Sequence, residues 1–207
     1  MSDSSGAAVT AKDVKKLRDM TGAGMMECKR ALTEVSGNLD KAVDLLRAKG
    51  AAKVAKRAAK AANEGAIGSY VHFDIKTAVI VELNCETDFV ANTDDFKALS
   101  KDLALHIASS APIAVSREQI ADEVIERERN VYLEQLKEEA PKPEHISEKI
   151  IEGKLNKFLK ENTLLAQDFV KDPDKSIEDL ITEVSAKTGE KIDVGRFARI
   201  KVGEQLS

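Results

Sequence analysis

The segments GAIGSYVHF (residues 65–73) and TAVIVELNCE (residues 77–86) decide the fold class of this chain. Both are rich in β-branched residues, and their apolar positions recur with a period of two, which is typical of half-buried strands. Asp74-Ile75-Lys76 lies between them and is short enough to reverse the chain. The two segments therefore predict a β-hairpin, although they lack the Asn-Gly pair of the tightest turns.

On the N-terminal side of this hairpin the apolar period changes to 3.6, and three short helices are predicted. Thr10 and Asp13 form a capping box at the start of the first helix. TGAG (residues 21–24) separates the first helix from the second, because glycine tolerates the backbone angles of a tight turn. Gly50 is the predicted C-cap of the third. We therefore expect a compact three-helix module over residues 1–50.

A basic helical linker is predicted over residues 51–63, and residues 64–207 are predicted to form an α+β core. The core has about three antiparallel strands packed with helices, and IDVGRFARIKV (residues 192–202) is the strand expected to join the hairpin. Helices are expected around Phe96–Ile107, from a Ser116–Gln119 capping box to about Glu139, around Ile146–Leu159, and from Ser176 to Thr188, with a turn at residues 172–174. APKPEH (residues 140–145) separates the helix that ends near Glu139 from the helix around Ile146–Leu159. These two helices are therefore predicted to form a helical hairpin.

Composition excludes several classes of protein. The chain has 207 residues, of which 43% are hydrophobic and 33% charged, the balance of a folded globular protein. No run of apolar residues approaches the 18 needed to span a membrane, and the N-terminus lacks the basic and apolar regions of a secretory signal. Two cysteines are too few for a disulfide framework. The expected location is the cytoplasm.

The sequence lacks the motifs of the common nucleotide-dependent enzymes. There is no GxxxxGK[ST] loop, and no GxGxxG follows a predicted strand. His72, His106 and His145 lie on separate elements, so no metal site or cofactor is predicted. We interpret His106 as a partly exposed helix residue. These absences favour a binding or regulatory protein over an enzyme.

Charge is unevenly distributed. Residues 1–63 carry 13 Lys+Arg against 7 Asp+Glu, whereas the whole chain has a net charge of -4. The basic excess lies in AAKVAKRAAKAA, whose cations are Lys53, Lys56, Arg57 and Lys60. A solvated helix explains this segment, and nucleic-acid binding is the alternative function. The segment lacks the aromatic residues that stack on bases, which argues against that alternative.

NCETDFVANTDDF (residues 84–96) places an apolar ring in the loop between a predicted strand and a helix, where polar residues are usual. Phe89 has two possible roles. The ring folds back onto the core as a lid, or it protrudes beside Asp88 as a wedge for another protein's pocket. Sequence alone leaves both open.

LRDMTGAGMMECKRAL (residues 17–32) and CETDFVANTDDF (residues 85–96) resemble two signatures of the translation elongation factor Ts family. EKIIEGKLNKF (residues 148–158) is similar to a further family segment, and the resemblance extends over nearly the whole chain. It implies a guanine-nucleotide exchange factor for elongation factor Tu, which makes and breaks no covalent bond. It also implies that the N-terminal module resembles a ubiquitin-associated domain and docks on the nucleotide domain of the partner.

The resemblance further implies two sets of site residues. The segment expected to disturb the magnesium site of the partner is Thr87, Asp88, Phe89 and Val90. In it, Phe89 would insert between helices of the partner and Asp88 would perturb the groups that hold the metal's water shell. The docking residues expected in the N-terminal module are Leu17, Arg18, Met25, Met26 and Cys28, several of which must also serve its core.

The chain resembles the short form of the family, because we find one core half where the longest members have two. A second copy is therefore expected to supply the other half, giving a homodimer and a two-to-two complex with elongation factor Tu. The predicted last strand or the edge of the hairpin is the expected contact, since an unpaired edge invites pairing. No direct contact with nucleic acid or membrane is expected.

Overall fold

The structure is a computed structural model that describes residues 9–138 and 143–204. Its helices are α1 (Ala11–Thr21), α2 (Met25–Glu34), α3 (Leu39–Arg57), α4 (Asp88–Ala91), α5 (Asp94–Ser110), α6 (Asp122–Glu138), α7 (Glu144–Asn162) and α8 (Ile177–Thr188). Its strands are β1 (Glu64–Val71), β2 (Thr77–Cys85), β3 (Asp168–Phe169), β4 (Asp172–Ser176) and β5 (Ile192–Lys201). The α+β prediction is confirmed.

The main sheet has the order β1-β2-β5, and both pairings are antiparallel. Val79 of β2 pairs with Tyr70 of β1 on one side and with Arg199 of β5 on the other. The predicted hairpin and the predicted third strand are therefore confirmed. The hairpin turn contains Ile75 with a φ of 53°, a left-handed conformation that a branched residue seldom adopts.

One face of this sheet packs on α5 and forms the core. Val79, Val81 and Leu83 alternate along β2 with more exposed residues, and they are buried in one cluster with Phe96 of α5. Helix and strand approach closely at Gly68, where an added Cβ would lie 2.4 Å from the carbonyl oxygen of Ser100. A side chain at position 68 would therefore push α5 away from the sheet.

The N-terminal module has a separate core shared by α1, α2 and α3. Its buried residues are Val14, Leu17, Cys28, Ala31, Leu32 and Ala42. The capping box of Thr10 and Asp13 is confirmed, and Gly22 ends α1 with a φ of 66°, as the predicted break requires. The likeness to a ubiquitin-associated domain stays a prediction.

The third helix of the module does not end at Gly50, which corrects the prediction of a C-cap there. α3 continues to Arg57, so the basic segment is largely the last part of this helix, and residues 58–63 connect it to β1. A Cβ at Gly50 would lie 3.1 Å from the Cβ of Ala186 in α8. Glycine is thus present because it lets α3 pack closely on α8.

Two further local predictions are wrong. Ser116 precedes only a 3-10 turn (Arg117–Gln119), to which its side chain gives no capping hydrogen bond, and α6 begins later, at Asp122. The predicted capping box does not form, because the side-chain oxygen of Gln119 accepts from the Val115 amide at 3.0 Å and not from the Ser116 amide. Residues 172–174 do not form a turn. They belong to β4, which pairs with β3, so the chain reverses between Phe169 and Asp172.

α6 and α7 pack against each other, as the predicted helical hairpin requires. Lys154 of α7 lies over the Tyr132 ring of α6 and donates to the Gln135 side chain at 3.2 Å. The first half of the predicted APKPEH break, residues 140–142, lies outside the described residues. α8 has the predicted start, where Ser176 and Asp179 form a capping box.

Candidate partner-binding site

The turn between β2 and α5 presents an exposed aromatic ring. The Phe89 side chain is 82% exposed, and its neighbour Asp88 is exposed as well. Val90, the next residue, is buried in the core with only 8% exposure. The alternative in which the Phe89 ring folds back as a lid is therefore wrong for this conformation.

Asp88 is the first residue of α4, a helix of four residues. Among the described residues its carboxylate has no hydrogen bond or ion pair. The backbone carbonyl of Asp88 is held instead, because it accepts from the Asn92 side chain at 2.9 Å and from the Asn92 amide at 3.1 Å. The backbone of Asp88 is thus fixed while its negative charge faces solvent.

Thr87 is anchored by a carboxylate from a distant part of the chain. The Thr87 hydroxyl donates to Glu190 Oε1 at 2.7 Å, and the Thr87 amide donates to Glu190 Oε2 at 3.0 Å. The amide of Glu86 donates to the same Oε2 atom at 3.1 Å. Thr87 and Val90 therefore hold this turn in place, and Asp88 and Phe89 are the members that project.

Glu86 precedes this anchor and forms a second one. Its carboxylate accepts two hydrogen bonds from the Arg57 guanidinium, at 2.8 and 2.9 Å, and one from the Lys191 amide at 2.8 Å. The Arg57 side chain, followed by the Lys191 amide, lowers the pKa of the Glu86 carboxyl to about 2. This carboxylate is therefore charged at any physiological pH.

Glu86 and Glu190 belong to the site but were not predicted from the sequence. Glu190 lies 103 residues beyond Thr87, so no local spacing connects them. A weak signal was present, since Glu190 directly follows the Thr188-Gly189 pair that ends α8. Only the pairing of β5 with β2 brings that turn beside the end of β2.

The N-terminal module divides the predicted docking residues into two groups. Leu17 and Cys28 have no exposed surface and belong to the core of the module, so in this conformation they are unavailable to a partner. Arg18 is exposed, and Met25 and Met26 are 54% and 65% exposed. Of the five predicted docking residues, these three are therefore the ones that a partner can reach in this conformation.

The basic end of α3 is partly neutralised within the chain. Lys53 pairs with Glu27 of α2, and Arg57 pairs with Glu86. Lys49, one turn before, pairs with Glu34 at 2.5 Å. These carboxylates reduce the positive potential that nucleic-acid binding requires, which weakens that alternative.

The histidines serve different structural roles. His106 is fully buried, which corrects the expectation that it is partly exposed, and its ring contacts Gln167 Oε1 at 2.8 Å. Burial lowers the pKa of the His106 ring. His72 Nδ1 lies 2.9 Å from the Tyr70 hydroxyl.

In the described part of the chain, no three His, Cys, Asp or Glu residues come together as metal ligands. No helix in this part is long and apolar enough to cross a bilayer.

Known proteins resemble the chain over nearly its full length. The model of the family described as Elongation factor TS matches residues 5–204. A protein named Elongation factor Ts from Thermosipho melanesiensis is 55% identical over 196 residues, which cover 95% of this chain and 100% of the relative. Proteins of the same name from Geobacter sulfurreducens and Syntrophomonas wolfei are 51% and 53% identical over 96% of this chain and 92% of each relative. The chain therefore belongs to the elongation factor Ts family.

Proposed function

We propose that this chain is a guanine-nucleotide exchange factor that binds elongation factor Tu carrying GDP and promotes exchange of GDP for GTP in the cytoplasm. It does so without covalent chemistry. The observation that supports this role best is the exposed Phe89 ring beside the exposed Asp88 carboxylate, on a turn anchored by Glu86 and Thr87. Removing an apolar ring from water lowers the free energy of the system, and a ring that projects into solvent can be buried only by another molecule.

The mechanism follows from the way a GTPase holds GDP. Magnesium requires near-ideal octahedral geometry, so a small displacement of its ligands or water shell weakens its binding. In our proposal Phe89 inserts between helices of the partner, and the Asp88 carboxylate acts on the groups that hold the metal's water. Binding is reciprocal: a factor that weakens the binding of nucleotide is itself bound less tightly when nucleotide is present.

Distortion of the partner must be offset by binding energy. Burial of one phenylalanine side chain contributes about 1.5–3 kcal/mol. Arg18, Met25 and Met26 of the N-terminal module are proposed to add a second contact, on the nucleotide domain of the partner. Methionine suits such a contact because its unbranched side chain adapts to an irregular surface.

A release assay tests this function. Purified elongation factor Tu carrying fluorescent GDP is mixed with excess unlabelled nucleotide and substoichiometric amounts of this protein. We expect faster loss of fluorescence, and each copy of the protein should serve many copies of the partner. A release rate equal to that of the partner alone would contradict the proposed function.

We also propose that the protein is a homodimer. The sheet face opposite α5 carries four aliphatic side chains, each more than half exposed: Ile67, Val71, Ile80 and Ile200. β2 lies in the middle of this sheet, and the register places these residues from all three strands on the same face. A second copy would present the same surface, and two such sheets pack face to face about 10 Å apart.

In this arrangement the two copies meet through the face of the sheet, whereas the edge pattern of the sequence predicts contact through an edge strand. The relatives named above have nearly the same length as this chain, so a second copy is the simplest source of a covering sheet. A dimer bearing two Phe89 wedges would bind two copies of elongation factor Tu. The two-to-two complex with elongation factor Tu, which was expected from the sequence, is therefore part of the proposal.

A further inference from the structure

The short helix α4 depends on other elements for its position. A four-residue helix has almost no stability of its own, because forming the first turn fixes several backbone angles for a single hydrogen bond. Phe89 nevertheless projects from it with 82% of its side chain exposed. Contacts elsewhere must therefore keep the ring at a defined place.

Glu190 supplies the first of these contacts. It follows Gly189, which ends α8 with a φ of 76°, and its carbonyl oxygen accepts a hydrogen bond from Ser185. The backbone of Glu190 is thus fixed, and its carboxylate accepts three hydrogen bonds from the two residues before Asp88. Hydrogen bonds to a charged acceptor are stronger than those between neutral groups.

Arg57 supplies the second of these contacts. It is the last residue of α3, and its guanidinium binds the Glu86 carboxylate through two nitrogens. α3 is also part of the N-terminal module, and Arg47 in the same helix pairs with Asp179 of α8 at 2.8 Å. α3, α8 and the start of the Phe89 turn are therefore joined by polar contacts as well as by packing.

We propose that Glu190, assisted by Arg57, is a positioning residue for nucleotide exchange. It touches neither the partner nor its nucleotide. It prevents the Asp88–Phe89 turn from swinging away when the ring is pushed into the partner, so the insertion strains the partner and not the factor itself. This inference rests on the proposed exchange function and names a residue outside the predicted segment.

The test compares Glu190→Ala with Glu190→Gln in the GDP-release assay, measured as a function of factor concentration. Glutamine keeps an acceptor oxygen for the amides of Glu86 and Thr87, whereas alanine removes it. We expect E190A to lower the maximal release rate about tenfold, the order of one lost charge-assisted hydrogen bond. The concentration for half-maximal release should change less than about twofold, because docking through Met25 and Met26 is intact, and E190Q should recover most of the rate.

Glu178→Ala is the matched control, since Glu178 is an exposed glutamate in the first turn of α8, the helix that ends just before Glu190. We expect this variant to retain the wild-type rate. If E190A fails to fold, Arg57→Gln is the second variant, and it should lower the maximal rate in the same way. An unchanged maximal rate in E190A, or an E190Q variant as slow as E190A, would overturn the positioning role.

Hydrogen exchange of the free protein separates this inference from the proposed function. The amides of Glu86 and Thr87 donate to Glu190, so they should exchange faster in E190A than in the wild-type protein and E190Q. Unchanged exchange of these amides would overturn the inference whether or not the protein acts on elongation factor Tu. Conversely, an inactive wild-type protein whose two amides respond to E190A as expected would overturn the exchange function, and with it the role of Glu190 in exchange, but not the anchoring of the turn by Glu190.

Discussion

The Arg57 guanidinium and the Glu86 carboxylate form a two-pronged ion pair, with Nε 2.8 Å from Oε1 and Nη2 2.9 Å from Oε2. Such paired hydrogen bonds fix the relative orientation of the two groups as well as their distance. The pair joins the end of α3 to the residue that precedes Thr87. Helix α3 of the N-terminal module is thereby linked directly to the Phe89 turn.

This ion pair predicts a pH dependence of stability. The pKa of the Glu86 carboxyl falls from its usual 4.5 to about 2 in the folded protein. A carboxyl whose pKa is lowered by folding stabilises the protein above its unfolded pKa, and this stabilisation is lost as the pH falls through the folded value. The difference in Tm between the wild-type protein and Glu86→Gln should therefore be constant above about pH 5 and shrink as the pH falls toward 2. A difference that stays constant over that range would contradict the assignment.

Phe89→Ala should slow GDP release without affecting the fold. Because the ring is exposed, its removal leaves no cavity, and the Tm should stay within about 2 °C of the wild-type value. Loss of about 1.5–3 kcal/mol of burial against the partner corresponds to at least about tenfold slower release at subsaturating factor. Phe73→Ala is the matched control, since Phe73 is 90% exposed in the β1–β2 turn. Equal rates for F89A and F73A would show that Phe89 has no special role.

Leu17 and Met26 should respond to substitution in opposite ways. Leu17→Ala leaves a cavity in the core of the module and should lower the free energy of unfolding by about 2–5 kcal/mol. Met26→Ala removes an exposed side chain and should change it by less than about 0.5 kcal/mol, while raising the factor concentration needed for half-maximal release. Denaturant unfolding and the release assay measure the two effects. A wild-type concentration dependence for M26A would remove Met26 from the docking surface.

Ile80→Asp should convert the proposed dimer into a monomer. Ile80 lies on the central strand and is more than half exposed, so a carboxylate there destabilises the free chain little. In the dimer the same carboxylate would be buried without a counter-charge, which is unfavourable. Sedimentation should give twice the chain mass for the wild-type protein and the single mass for I80D. Val124→Asp, the same kind of change on an exposed residue of α6, should remain dimeric. A wild-type protein that is monomeric at all concentrations would exclude this dimer.

Sequence patterns were sufficient where the decisive interactions are local. The Thr10–Asp13 capping box predicted the start of α1, and Ser176 was the predicted start of α8, where the structure also shows a capping box. Both starts could be predicted because the members of a capping box lie within one turn of each other. Sequence patterns were not sufficient where tertiary contacts decide where a helix begins or ends. α3 continues through Gly50 because α8 packs against it, and Gln119 does not cap a helix because it accepts from Val115.

The sequence by itself determined the fold class, the order of the elements and the family, because apolar periodicity and long ordered motifs are properties of the linear chain. Only the tertiary structure decided that Asp88 and Phe89 are the members of the Thr87–Val90 segment that project, since burial depends on neighbours that the sequence does not place side by side. The same is true of Glu190, which meets Thr87 across 103 residues because β5 pairs with β2. Long-range pairing depends on the whole core, and for that reason the anchor of Phe89 could not be found from local spacing.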